Sequence, residues 1–408
     1  MTAQSPTTAT AQPFPWIGLV TLAGAIFVSV TSEFLPTGLL PDMARDLDVS
    51  LSTAGLLVTI FAGTVVIATT PLAALTRNYS RKFLVVIVLL VIALANVLAA
   101  IAPSYEILVG ARILGGLAHG LFWAVVAAYS AHLVPREQLG RAVAITSGGA
   151  SAAFVLGVPV GTALGHALGW RAAFGIIAMV VVLLTLAVMK FLPAVNHHVP
   201  LRTGEIPLPL RKDRSLRGVI IVCMVILIMV TGQNVFYTYI APWLIDVAQF
   251  PSTSIAVILF LYGGAGVIGL VLAGFAADRF PKRGFGFAVL GVMVAIMVLA
   301  VASQNPVVVV AAFVVWGASF GGLPAMLQTR MLRTASFRMR DLAAALQTTA
   351  FNVGIGGGAL LGGVLLDEAG IRSLPPVAIA FVGVGLALSV AADVARAASA
   401  RRARPVTA

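Results

Sequence analysis

Cysteine is almost missing from this chain of 408 residues; the one present, Cys223, lies in an apolar run, so no disulfide can form within the chain. Histidine and cysteine never cluster at metal-ligand spacing. His197 and His198 form an isolated pair in a polar stretch, and neither a metal nor a cofactor is expected. Charge is scarce too. Asp, Glu, Lys and Arg make up 10% of the residues, against about 25% in soluble domains. With a hydrophobic share of 60% and a mean hydropathy of +1.04, this excludes a soluble globular protein and implies an all-α polytopic membrane protein. Long hydrophilic segments are lacking as well. The longest internal one is 193–216, which leaves no room for a sizeable receptor domain. No Ser/His/Asp set or metal-ligand set lies within or beside the apolar runs, so an enzyme is not expected. Acid is the scarcest charge, 14 Asp plus Glu against 26 Lys plus Arg, for a net charge of +12. The bases fall in small clusters between apolar runs, a pattern of membrane topology and not of a nucleic-acid groove.

Residues 1–13 are polar and hold no Lys or Arg. They lack the positive start of a secretory signal and are expected to form a disordered cytoplasmic tail. Apolar runs follow at about 16–40, 53–75, 83–102, 106–133, 141–165 and 171–192, and after a Pro-bearing polar segment at about 217–244, 253–276, 285–303, 306–329, 341–366 and 373–395. Crossing a bilayer takes roughly 20 residues, so the expectation is twelve transmembrane helices in two groups of six. The expected organisation is a six-helix half over 14–192, a cytoplasmic linker over 193–216, a second six-helix half over 217–396 and a basic cytoplasmic tail over 397–408. Charge supports the count. With the N-terminus inside, 22 of the 26 Lys and Arg fall in inside segments, Arg45, Arg171 and Arg372 fall outside, and Arg112 lies within a span. A miscounted helix would invert every later loop and destroy that separation. Both termini are therefore expected in the cytoplasm, and the protein is expected multi-pass in the plasma (inner) membrane.

The halves are related by an internal repeat. Gly157, Gly161 and Gly165 recur as Gly354, Gly358 and Gly362 at an offset of 197, and Gly-Trp-Arg171 recurs as Gly-Ile-Arg372 at 201. Glycines four apart, here with Pro159 among them, let helix backbones approach closely, so these are read as helix-packing residues.

One carboxylate interrupts the first run, Glu33 in Thr31-Ser-Glu-Phe-Leu-Pro36. An acid at that depth costs about 2.5–3.5 kcal/mol to insert and usually marks an ion or proton path. The fourth run contributes Arg112 at similar depth, where it is expected to pair with Glu33, and His119 two turns further along the same face. Histidine titrates near pH 6.5 and suits a proton relay or, equally, an interhelical hydrogen bond. Glu33, Arg112 and His119 are the candidate proton-coupling residues. For solute contact the candidates are Trp123, Gln233, Asn234, Tyr237, Tyr239, Trp316, Gln347 and Asn352, whose amide and aromatic groups fit a neutral polar solute in a central cavity. Trp243 and Asp246 are expected at the outer surface as anchors.

The turn after the eighth run reads Gly274-Phe-Ala-Ala-Asp278-Arg279-Phe-Pro-Lys282-Arg283. It resembles the signature between the second and third helices of each half of the major facilitator superfamily, written G-x-L-A-D-R-x-G-R-K. The first-half counterpart is degenerate, with Arg77 where the family has its Asp and the basic end kept as Arg81 and Lys82. The candidate gating residues are Arg77, Arg81, Lys82, Asp278, Arg279, Lys282 and Arg283, a charge network at the cytoplasmic face that could latch one conformation. Leu108-x-x-x-Arg112-x-x-Gly115-Gly116 is similar to the family's fourth-helix motif, and Gly157-Val-Pro159-Val-Gly161 to a reduced form of its antiporter motif. Thr31-Ser-Glu33 through Gly38 to Asp42, with Ala118-His119-Gly-Leu-Phe-Trp123, narrows the resemblance to arabinose-type sugar efflux and chloramphenicol efflux proteins of the twelve-helix proton-antiporter group. That resemblance implies the major facilitator fold and export of small neutral polar or amphipathic solutes, sugars or drugs, by proton antiport and alternating access. It also implies a monomer in the lipid bilayer whose partners are a small-molecule substrate and protons. Direction rests on the resemblance alone, so import or uniport on the same fold stays open, as does a non-transporting receptor or membrane enzyme.

Overall fold

The structure is a computed structural model that describes residues 14–134, 138–193, 213, 215–279 and 283–402. The expected tail over 1–13, almost all of the linker over 193–216 and the last residues of the basic tail lie outside the described residues. Within them the protein is helical, with twelve helices long and apolar enough to cross a membrane. The first six spans are Trp16–Asp46, Leu51–Leu75, Arg81–Ala100, Tyr105–Val126 within a helix reaching Leu133, Arg141–Leu168 and Trp170–Phe191. The second six are Leu216–Tyr237, Ser252–Phe275, Arg283–Val301, Pro306–Thr334, Leu342–Ala369 and Ile371–Ala395. Their core is two large apolar clusters, one centred in each half with the second reaching Leu40, Ala44, Ala54 and Val158 of the first, and a small third one, while the outward faces carry exposed Ile, Leu, Val and Phe. Such an apolar exterior is what lipid, and not water, accommodates.

Proline and glycine explain where the spans depart from straight helices. Pro159 has no N–H to give the preceding turn, and residues Ala153–Gly157 widen there into π geometry. Pro242 ends the seventh span early: the helix stops at Tyr237 and a short helix, Ile240–Asp246, follows. The tenth span breaks at Gly322, before Pro324. The first span differs from expectation in length. It runs on to Asp46, since Pro36 and Pro41 kink the helix without ending it, and Glu33 therefore sits near its middle. Trp243 also departs from expectation. It is 1% exposed and packs edge-on to Phe236, because the break at Tyr237 turns the short helix inward. Gly169 and Gly370 end the fifth and eleventh spans with φ of +90° and +76°, a conformation that favours glycine, which is why both halves carry it before their Trp-Arg and Ile-Arg pairs.

Within each half the glycine stripes seat one helix on another. A Cβ at Gly157, Gly161 or Gly165 would strike Thr31, Leu35 or Leu39 of the first span; one at Gly354, Gly358 or Gly362 would strike the seventh. Between the halves, Thr59 of the second span donates to the Gly356 carbonyl of the eleventh at 3.0 Å, and Tyr239 lies against both Gly55 and Gly363. Gly263 of the eighth span meets the Phe154 carbonyl of the fifth. These contacts lie toward the end of the molecule away from the basic loops. Toward the basic loops Thr348 and Thr349 of the eleventh span are exposed, and the fifth span leaves the eighth over most of its first helix. The two halves thus meet more closely at the end away from the basic loops.

Asp213 ties the start of the second half to the loop before the eleventh span. Its carboxylate accepts from the Ser215 backbone N–H and hydroxyl and from the Ser336 hydroxyl, each at 2.7 Å. The Ser336 bond first, then the Ser215 bonds, hold this carboxyl below the ordinary carboxylate range.

Two adjacent glycines test the packing. A Cβ at Gly357 would meet open space, whereas one at Gly358 would press on the Thr231 carbonyl and on Asn234. Gly357→Ala should leave the melting temperature in detergent unchanged or raise it by the roughly 0.5–1 kcal/mol of helix propensity. Gly358→Ala should lose about 1–3 kcal/mol to overpacking. Equal melting temperatures for the two variants would contradict this packing.

Candidate functional site

Among the described residues the buried Asp, Glu, Lys, Arg and His side chains are three, all in the first half: Glu33 (6% exposed), Arg112 (3%) and His119 (3%). Their arrangement begins with Pro36. A proline leaves the carbonyl four residues back without its helical donor and crowds the next one. Those carbonyls belong to Ser32 and Glu33, and Arg112 supplies both: Nη1 donates to Ser32 O and Nη2 to Glu33 O, each at 2.9 Å. The guanidinium lies 4.2 Å from the Phe61 ring centroid of the second span, a favourable cation–π geometry. Arg112 was expected to pair with the Glu33 carboxylate. The structure differs because the kink offers the planar guanidinium two main-chain acceptors at fixed spacing.

The Glu33 carboxyl group lies against His119 instead, with Nε2 3.3 Å from Oε2. The same Nε2 accepts from the Trp123 indole at 2.8 Å, and Nδ1 lies 2.8 Å from Ser29 Oγ. Indole N–H is a donor only, so Nε2 is the bare nitrogen and Nδ1 carries the proton, donated to Ser29. Glu33, His119 and Ser29 are sealed, while Trp123, one turn further along the fourth span, is partly exposed. Ser32 donates to Asn96 Oδ1 at 3.0 Å, anchoring the neighbouring turn to the third span. Nearer the other end of the first span, Asp42 pairs with His166 at 2.8 Å, and Asp46 pairs with Arg171 and accepts from Trp170.

The second half carries a matched site of different chemistry. Gly116 faces the Phe61 carbonyl as Gly317 faces that of Tyr262, and Gly120 faces Val65 as Gly321 faces Gly266, a constant offset of 201. In the first and seventh spans Thr31 corresponds to Val230 and Leu39 to Tyr239, by their contacts with the glycine stripes. Glu33 thereby falls opposite Gly232 at an offset of 199 and Gln233 at 200, while the offset of 201 matches Arg112 with Phe313 and His119 with Phe320. Gln233 Nε2 donates to Tyr262 Oη at 3.0 Å, and Trp316 Nε1 donates to Gln233 Oε1 at 2.9 Å. Phe236 stacks on Trp316 with centroids 5.4 Å apart, and Tyr237 lies 5.2 Å from Tyr262. Charge on one side faces an amide and aromatic cluster on the other.

Of the remaining solute candidates, Asn234 donates to Val230 O and lies against Gly358, and Tyr239 donates to Ala359 O at 2.8 Å. Gln347 is partly exposed, and Asn352 has a buried Oδ1 without a partner. Arg77, Arg279 and Arg283 are exposed at the basic end, with Arg81 and Lys82 partly so; Lys282 and the Asp278 side chain lie outside the described residues. Sequence reasoning missed Ser29, Phe61, Asn96 and Tyr262. Ser29 stands one helical turn before Glu33 on the same face, and Asn96 is the lone amide of an apolar span, signals that were there to be used.

The family model described as Major Facilitator Superfamily matches residues 22–335 and 222–407. A protein of Helicobacter pylori (strain ATCC 700392 / 26695) named "Probable sugar efflux transporter" is 30% identical over 381 residues, covering 92% of this chain and 94% of that one. One of the same name from Helicobacter acinonychis (strain Sheeba) is 29% identical over 362 residues, covering 89% and 90%. Among solved structures, a bacterial homolog of the human lysosomal transporter Spinster, inward-facing and occupied, superposes with a TM-score of 0.76 at 15% identity, covering 94% of this chain and 97% of that chain. A human organic anion transporter superposes with a TM-score of 0.69 at 15% identity, covering 92% and 100%.

The clasp on the kinked helix is open to a double-mutant test. Arg112→Ala should cost about 1–3 kcal/mol for each carbonyl it strands. Pro36→Ala restores a backbone donor for Ser32 O, so in the Arg112→Ala background it should recover about 1 kcal/mol of that loss, read as melting temperature in detergent. Strictly additive effects of the two substitutions would show that Arg112 does not serve the kink.

Proposed function

Because this chain belongs to the major facilitator superfamily, we propose that it exports a small neutral solute, a sugar or an amphipathic drug of the chloramphenicol kind, across the plasma membrane in exchange for protons. The observation that carries this reading is the asymmetry of the matched sites. Glu33 rests on His119 in the first half, where the second half has only Gln233 among aromatic rings. A carboxylate kept at the centre of a membrane bundle is accounted for by a proton that boards and leaves it. Amide and aromatic groups without charge suit hydroxyl-rich or amphipathic neutral molecules. The names of the Helicobacter relatives favour a sugar.

In this reading the basic loops and both termini face the cytoplasm, and the cavity is open inward, ready to load solute. Protonation of Glu33 from the outer side and its release inward bias the rocking of the two halves around the shared site. The bases Arg77, Arg81, Lys82, Arg279, Lys282 and Arg283, with Asp278, latch the cytoplasmic end when it closes. Trp123, Gln347 and Asn352 contact the solute from the open side.

Inside-out vesicles with an imposed acid interior test the reading, with labelled L-arabinose and chloramphenicol as probes. The wild-type protein should accumulate at least one of them. Glu33→Gln should fall to the level of vesicles lacking the protein, while still exchanging solute down a solute gradient. Accumulation by Glu33→Gln equal to wild type would remove Glu33 from the coupling.

A further inference from the structure

The bare Nε2 of His119 has one lone pair and two suitors. The Trp123 indole N–H fills it at 2.8 Å, and the Glu33 carboxyl lies 3.3 Å away on the same atom. A proton on Nε2, or a protonated Glu33 donating to Nε2, needs that lone pair, so neither can coexist with the indole bond. We propose that Trp123 is the element through which the proton and the solute compete. Resting on the proton-exchange reading, this assigns Trp123 a role that a contact residue alone would not have.

Burial gives the competition a direction. Glu33, His119, Arg112 and Ser29 are sealed, and Trp123 is the member of the cluster with exposed surface. When the proton occupies the Glu33–His119 pair, moving between Oε2 and Nε2 without leaving it, the indole N–H loses its acceptor. The ring then turns toward the cavity for another acceptor and takes space that a solute needs. A solute that presses the indole back onto Nε2 evicts the proton from the pair. With the indole on Nε2, the structure shows the arrangement in which that lone pair is closed to a proton. Arg112 is the one further charge, held on the Ser32 and Glu33 carbonyls; the second span presents Phe61 and the third presents Asn96, bonded to Ser32. The next titratable pair along the first span, Asp42 with His166, is more than two turns away.

The test is the proton titration of purified protein in weakly buffered detergent, read with a pH indicator, taking as signal the release present in wild type and missing in Glu33→Gln. Trp123→Phe removes the N–H and part of the ring. Benzothienylalanine in place of Trp123 keeps the ring's volume and replaces only the N–H by sulfur. Without the indole donor the pair holds its proton more firmly, so the midpoint of the Glu33-dependent release should move to higher pH in both, by about half a unit to one unit, the worth of one hydrogen bond. The emission of Trp123, obtained as wild type minus Trp123→Phe, should titrate at the wild-type midpoint. A wild-type midpoint in both altered proteins, with Glu33-dependent release intact, overturns the role of Trp123 and leaves the proton reading standing. Release in Glu33→Gln equal to wild type overturns the proton reading itself.

Discussion

Pro36 removes a hydrogen bond from the first span at the depth where water is scarcest, and Arg112 repairs it. In a bilayer an unmet carbonyl costs several kcal/mol, so a kink of this kind survives only where a neighbour supplies the missing donor. The repair has a consequence for chemistry. Arg112 is spent on the main chain of Ser32 and Glu33, which leaves the Glu33 side chain free to meet His119. A guanidinium clamped on the carboxylate itself would hold it ionised and out of reach of a travelling proton. Held one atom shell away, the same charge keeps the helix in shape and leaves the acid able to change state.

The duplication of the fold is what makes the asymmetry of the site legible. Helices of the two halves meet through corresponding glycine contacts, at an offset of 201 between the second and eighth and the fourth and tenth spans and of 199–200 between the first and seventh. Side chains at corresponding positions have diverged by charge: an acid, a guanidinium and an imidazole on one side, an amide and two phenyl rings on the other. In the exchange we propose, one half responds to protons while the other holds a neutral surface for solute, and rocking about their interface joins the two events. Contacts of Thr59 with Gly356, and of Tyr239 with Gly55 and Gly363, set where that interface is closed.

Much of this was readable from the chain alone, for identifiable reasons. Twelve spans, their grouping and the twin glycine stripes follow from hydropathy, Lys/Arg bias and spacing, which are properties of single residues along a line. Glu33, Arg112 and His119 stood out because charge inside an apolar run is rare. Partnership was harder. Nothing linear says that a proline three residues after Glu33 will turn Arg112 toward carbonyls, or that Trp123 will fill the lone pair His119 was expected to offer a proton. Trp243 was misplaced for a similar reason: tryptophan near a span end usually lies at the interface, but Pro242 breaks the seventh span and turns the ring into the core.

The central claim is that proton and solute exclude one another at the Glu33–His119 pair. Linkage makes that measurable as the pH dependence of solute affinity, with L-arabinose or chloramphenicol titrated onto the purified protein by calorimetry. For exchange against one proton, the apparent Kd should rise about tenfold for each unit of pH below the midpoint of the pair and level off above it, and Glu33→Gln should bind with the same affinity at every pH. A solute affinity in the wild-type protein that does not change across that range would contradict the account.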